Sequence, residues 1–161
     1  KAIEFSKQFL TRTQLVVTSF KDQPVIAGYF AVCQKSILLK RNVLSSSLMK
    51  RVSKFGTFYN EQNCYIISAP LIAQLGKNYS NGYNSLISGD ELLVIACQSI
   101  RKAQYVIGGK LVYLECEENQ TLREFYSSNG FVEFGTRVLS KDEKGLLKSD
   151  RLVQLLKYLD D

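Results

Sequence analysis

The chain has 161 residues, of which 45% are apolar, 11% aromatic and 22% charged, which fits one soluble domain of ~100–200 residues. With two prolines and ten glycines, no apolar run near the ~18–20 residues that a bilayer requires, and a first decapeptide too polar for a signal peptide, a collagen-like, low-complexity or membrane-spanning chain is excluded and a cytoplasmic location is expected. Lysine and arginine number 21 against 15 aspartates and glutamates, a net charge of +6 that favours polyanions, and histidine is absent, which removes the commonest general base, the commonest zinc ligand and every Ser/His or Cys/His nucleophile.

Along the chain, Ile3, Phe5, Phe9 and Leu10 suit the end of an amphipathic helix already under way, so an earlier native start than Lys1 is expected. Residues 14–20 (QLVVTSF) and 25–33 (VIAGYFAVC) are β-branched and aromatic, and KDQP between them is turn chemistry, which predicts an antiparallel hairpin. Residues 36–42 (SILLKRN) either continue that strand or begin another element. The polar stretch that follows carries Lys50, Arg51 and Lys54, spaced like the wet face of a helix. Residues 63–75 form an apolar run too long for one regular strand, and a bulge or break is expected at Ala69 and Pro70.

Residues 76–88 read as a loop rich in Asn, Ser and Gly. It ends at Ser88-Gly89-Asp90-Glu91, where a capping oxygen and two acids predict a helix N-terminus. That helix runs through Leu92, Leu93, Ile95, Ala96, Ile100 and Ala103 and stops at Gly108-Gly109. A strand over 110–115, a short helix from Asn119 to a glycine cap at Gly130, a strand over 131–139 and an amphipathic helix over 148–159 complete the order, which is that of an α/β domain with a mixed sheet. Cys33, Cys64, Cys97 and Cys116 are widely spaced, without a CxxC pair, and read as reduced, buried thiols with no metal site.

The most specific pattern is GKLVYLECEENQTLREFYSSNGFVEFG, residues 109–135. A strand leads to Asn119, Tyr126 follows Phe125 seven residues later on a helix, and Gly130-Phe131 turns four residues on into the next strand. This resembles the C-terminal motif of the GNAT superfamily, the GCN5-related N-acetyltransferases. The resemblance implies a GNAT-like α/β fold: a mixed, mostly antiparallel central sheet with a splayed fourth strand, flanked by helices, in one domain over residues 1–161 whose first strand and helix lie before Lys1. It also implies acetyl-CoA as the cofactor. Tyr126 then protonates the departing thiolate, and Asn119 and Phe125 lie against the cofactor.

The strand LIAQL, residues 71–75, resembles the fourth strand of that fold, where a backbone N–H near Leu75 and Gly76 would polarise the thioester carbonyl. Gly89 matches the end of the pyrophosphate loop, which brings Lys77, Ser85, Ile87, Ser88 and Asp90 to the cofactor as well. The loop departs from the usual Arg/Gln-x-x-Gly-x-Gly/Ala, because Asn84-Ser85-Leu86-Ile87-Ser88-Gly89 keeps only the last glycine. Anion binding at a helix start rests on backbone N–H groups and the dipole, so it survives that loss provided Asp90 and Glu91 point away. A base is open: Glu115 or Glu117 relays a proton through water, or the amine arrives neutral.

The leading function is therefore an acetyl-CoA-dependent N-acetyltransferase acting on a primary amine. Bacterial GNAT toxins of toxin–antitoxin pairs share FY-x-x-x-GF and a basic surface, so aminoacyl-tRNA is a candidate acceptor, with tRNA, an antitoxin and a second copy of the chain as candidate partners. The rival class is a GNAT-fold acyl-CoA sensor or interaction module that has lost catalysis, motivated by the eroded loop. A nucleic-acid-binding domain unrelated to acetyl transfer rests on charge alone, since the sequence reads as lacking a basic cluster interleaved with exposed aromatics. Each residue also has a plain role: Tyr126 as packing, Asn119 as a helix cap, Glu115 and Glu117 as solvated strand residues.

Overall fold

The computed structural model describes residues 10–140 and 149–160. The helix end expected over residues 3–9 lies outside them. In chain order the elements are β1 (Arg12–Phe20), β2 (Gln23–Lys40), α1 (Ser46–Val52), a 3-10 turn (Ser53–Phe55), β3 (Gly56–Tyr59), a second 3-10 turn (Asn60–Gln62), β4 (Cys64–Lys77), 3-10 turns over Ser80–Leu86, α2 (Gly89–Ile107), β5 (Leu111–Glu117), α3 (Gln120–Ser128), β6 (Val132–Val138) and β7 (Arg151–Tyr158). The strands form a seven-stranded, mostly antiparallel sheet of order β1-β2-β4-β5-β7-β6, with β3 paired to β4. No helix among the described residues is long and apolar enough to cross a membrane.

The chain divides into two compact units, and both β2 and β4 pass from one to the other. The first holds residues up to Gln34 and Pro70–Gly108. Its hairpin turns on Lys21 and Asp22, both in the left-handed region (φ 51° and 60°), a two-residue turn whose twist matches the flanking strands. Turn chemistry was legible in KDQP, but the turn uses only its first two residues, and Gln23 and Pro24 already pair with Phe20 and Ser19. In α2 the buried residues Leu92, Leu93, Ala96, Cys97 and Ile100 form one stripe at helical spacing. A Cβ on Gly28 would lie 2.9 Å from the Gly76 carbonyl oxygen and 3.2 Å from Leu92, so the absent side chain lets β2, β4 and α2 approach closely.

The second unit holds Lys35–Ala69 and the residues from Gly109 onward. Residues 36–40 continue β2 rather than starting a new element, with Ile37 and Leu39 buried between exposed Ser36, Leu38 and Lys40. β4 runs unbroken from Cys64 to Lys77, so of the bulge or break expected at Ala69 and Pro70 the break is absent. What changes there is the burial phase: Ala69 and Ile72 are both buried three residues apart, where strict alternation would give two.

The largest correction concerns residues 148–159, where a helix was expected and β7 is found. β7 lies between β5 and β6, antiparallel to both, with Leu114 opposite Leu155 and Glu115 opposite Gln154. Because it is covered on both faces, Leu152, Val153, Leu155, Leu156 and Leu159 are all buried. That spacing of i, i+1, i+3, i+4 and i+7 also draws a helical stripe, so periodicity could not separate the two. The four cysteines are buried and form no disulfide among the described residues, as expected.

Candidate active site

Two groups of candidate residues emerge, one in each unit. In the first unit, Leu75, Gly76 and Lys77 end β4, while Ser85, Ile87, Ser88, Gly89 and Asp90 lie between the 3-10 turns and the first turn of α2. Ile87 is buried, and the Ser85 hydroxyl donates to the Gly82 carbonyl at 2.8 Å. At the head of α2 the Glu91 N–H donates to Ser88 Oγ at 3.1 Å, and the Ser88 N–H donates to Glu91 Oε2 at 2.7 Å. This is a complete capping box. It holds the Glu91 carboxyl below its ordinary range, chiefly through the hydrogen bond from the Ser88 backbone, and so places a carboxylate at the helix start.

Sequence reasoning missed Asn78, which ties this loop down. Its backbone N–H donates to the Ala27 carbonyl and its Nδ2 to the Ile26 carbonyl, each at 2.8 Å, while its Oδ1 accepts from the Ser80 N–H at 3.0 Å. An Asn at a strand end followed by Tyr-Ser-Asn-Gly is an ordinary loop in sequence; only its long-range partners mark it. Gly76 is also constrained, since a Cβ there would meet the Tyr29 ring at 2.7 Å.

In the second unit, Asn119 caps α3, its Oδ1 accepting from the Leu122 N–H at 3.2 Å. The far end of α3 explains the spacing of Tyr126, Gly130 and Phe131. The Phe131 N–H donates to the Tyr126 carbonyl at 3.1 Å and the Gly130 N–H to the Ser127 carbonyl at 3.0 Å, with Gly130 at φ 80°. These paired bonds are a Schellman motif, completed by the apolar contact it favours, the Tyr126 and Phe131 rings packing edge-on at 6.0 Å. The Phe125 ring flanks Tyr126 at 5.0 Å. Arg123 locks the helix to β6 through a bidentate pair with Glu133, at 2.6 and 2.8 Å.

Tyr126 is thereby held half-buried, and its hydroxyl makes no hydrogen bond to the described residues. Burial, with a smaller contribution from the neighbouring Cys116, pushes its pKa up to about 12. Burial, followed by the Glu133 carboxylate, pushes the Cys116 thiol up to about 11, so it is no nucleophile at neutral pH. Both groups favour the protonated form in the fold. Their contribution to stability is therefore complete below pH 9 and lost as pH rises to 12, on the order of 2 kcal/mol per group. Urea unfolding followed from pH 8 to pH 11.5 is expected to show this loss, and a flat profile contradicts it.

Glu115 and Tyr126 are not brought together. Residues of β5 alternate between sheet faces: Cys116 shares the side of Glu133 and hence of α3, whereas Glu115 points to the opposite face with Gln154. Its carboxylate, 11% exposed, accepts from Arg137 Nε at 2.7 Å and from Gln154 Nε2 at 2.8 Å. Arg137 and Gln154 were invisible beforehand, Gln154 because its segment read as a helix.

In sequence the chain matches no protein-family model and no curated protein. In structure it is similar to the toxin AtaT complexed with acetyl-methionyl-tRNAfMet, with a TM-score of 0.55 and 16% identity over 94% of this chain and 74% of that one. It is similar to AtaTR bound with acetyl-CoA (TM-score 0.53, 16% identity, 94% and 73% covered). A protein described as a bacterial toxin gives a TM-score of 0.61 at 14% identity, covering 97% of this chain and 72% of that one. The fold is that of the GNAT acetyltransferases.

Proposed function

We propose that this protein is an acetyl-CoA-dependent N-acetyltransferase whose acceptor is the amino group of an aminoacyl-tRNA. The observation that carries this reading is the Schellman-capped α3, which holds the Tyr126 ring between Phe125 and Phe131 and leaves its hydroxyl without a hydrogen bond to the described residues, in a chain with the GNAT fold. The similarity to AtaT, solved with acetyl-methionyl-tRNAfMet, supports the choice of acceptor.

The donor set at α2 fits the phosphates of coenzyme A only in part, because the capping box already engages the N–H groups of Ser88 and Glu91. Gly89, Ser85 and Lys77 are assigned to the phosphates, and Glu91 must rotate off Ser88 to admit them. Asn119 spends its Oδ1 on the cap, leaving Nδ2 to donate to the cofactor. In the first unit, Leu75, Gly76, Ile87 and the backbone of Asp90 are assigned to the cofactor, a backbone N–H near Leu75 and Gly76 polarising the carbonyl; in the second, Phe125 is assigned to it beside Asn119.

Bound acetyl-CoA supplies the acetyl thioester. With the thioester bound, Tyr126 would donate its phenolic proton to the leaving thiolate as the amine nitrogen takes the acetyl group, and the proton that the amine sheds would return through water to the Tyr126 phenolate. Glu115, engaged with Arg137 and Gln154 on the other sheet face, is assigned a positioning role instead of that of the base. The capping box favours a second reading, an acyl-CoA-binding module without turnover. Calorimetric titration with acetyl-CoA, followed by transfer of labelled acetyl groups to charged tRNA, free amino acids and polyamines, separates the two. Saturable binding with label in the charged tRNA is expected. Absence of binding removes both readings, and binding without transfer to any amine leaves the second.

A further inference from the structure

The positive charge of the chain is concentrated in one segment. Between Asp22 and Glu61 there is no acidic residue, yet Lys35, Lys40, Arg41, Lys50, Arg51 and Lys54 lie there; the fifteen cations elsewhere match the fifteen acids, so this stretch carries the whole +6. All six belong to the second unit, and all six are exposed. Arg51 pairs with Asp160 and lies 3.8 Å over the Tyr158 ring, which makes it the anchor of α1. The others stay available to a ligand.

Aromatic side chains are interleaved with these cations. From Lys50 the chain completes α1, makes one 3-10 turn and enters β3, carrying Lys54, Phe55, Phe58 and Tyr59 within ten residues. The Arg41 guanidinium lies 5.5 Å over Phe58, which brings the end of β2 against β3. Phe55 and Tyr59 are each 36% exposed, and the Tyr59 hydroxyl donates to Glu61 at 2.5 Å, so its ring is held in place with area left uncovered.

We propose that the α1–β3 face is an RNA-binding surface, on which Lys40, Lys50 and Lys54 take backbone phosphates while Phe55 and Tyr59 stack on unpaired bases. This rests on the proposed reading of an RNA-borne acceptor and names where that RNA is held. Cations supply salt-dependent affinity, and aromatic faces accept any base. Bare charge would serve any anionic surface; the exposed rings held among the cations favour nucleic acid. Glu61, the acid that closes the stretch, repels phosphate at its edge.

The test is fluorescence anisotropy of the full chain with fluorescein-labelled, uncharged tRNA across a salt series, which needs no acetyl transfer. The variant with Lys40, Lys50 and Lys54 all replaced by glutamine is expected to bind at least tenfold more weakly at 100 mM salt, with its log–log salt slope reduced by about 2. Tyr59→Ala is expected to weaken binding about fivefold or more, and Glu61→Gln to strengthen it. Lys102→Gln, at an exposed position of α2, is expected to leave binding unchanged. Equal binding by the triple variant and the wild type overturns the proposal, as does an equal loss in Lys102→Gln. Preferential binding to phosphatidylserine vesicles over tRNA overturns it too. If tRNA binds as expected but charged tRNA is never acetylated, the surface stands and the acceptor reading fails.

Discussion

Tyr126→Phe is expected to lower acetyl transfer by ~10²–10⁴-fold while leaving acetyl-CoA affinity and thermal stability close to those of the wild type, because one proton donor contributes about that much to a rate. The separation of effects follows from the structure. The ring is gripped by Phe125 and Phe131, contacts that phenylalanine keeps, and the helix end is fixed by backbone bonds from Gly130 and Phe131 that do not involve the side chain. Only the hydroxyl is lost, and among the described residues it bonds to nothing in the fold. Steady-state rates with labelled acetyl-CoA, alongside calorimetry on the same variant, provide the measurement. Full turnover by Tyr126→Phe would show that solvent protonates the thiolate. Since the wild-type hydroxyl titrates near 12, the proposed acid also predicts no alkaline fall in rate from this group below about pH 11.

Leu155→Ala is expected to cost about 2–5 kcal/mol of folding stability, the range for emptying a well-packed apolar site. Leu155 is fully buried, opposite Leu114 on one side and Glu133 on the other, in a strand that makes two ladders at once. Val138→Ala, 61% exposed on edge strand β6, provides the contrast and is expected to change stability by less than about 0.5 kcal/mol. Urea denaturation of both variants measures the difference. A cost below about 1 kcal/mol for Leu155→Ala contradicts the placement of residues 151–158 between β5 and β6.

The legible and illegible parts of this protein divide along one line. Ser88 and Glu91, Asn119, and Gly130 with Phe131 were readable because caps are local: the donor and acceptor are three to five residues apart, and the chemistry of each side chain fits few other roles. The same locality made the hairpin at Lys21 and Asp22 and the α2 stripe visible. The surroundings of Glu115 were illegible for the opposite reason. Its partners, Arg137 and Gln154, lie 22 and 39 residues away, and its face of the sheet depends on pairing that no window of sequence contains.

Composition and local pattern alone established an α/β chain with a surplus of six positive charges, no histidine, reduced cysteines and a capped helix presenting Tyr126. Tertiary pairing alone decided that residues 151–158 are a central strand, because a segment buried on both faces shows apolar residues at spacings that serve a helix equally well. It also turned Glu115 away from Tyr126 and set the six cations of residues 23–60 in the unit that carries α1 and β3. Strand order and face are properties of contacts between distant segments, and their free energy is absent from any short stretch of the chain.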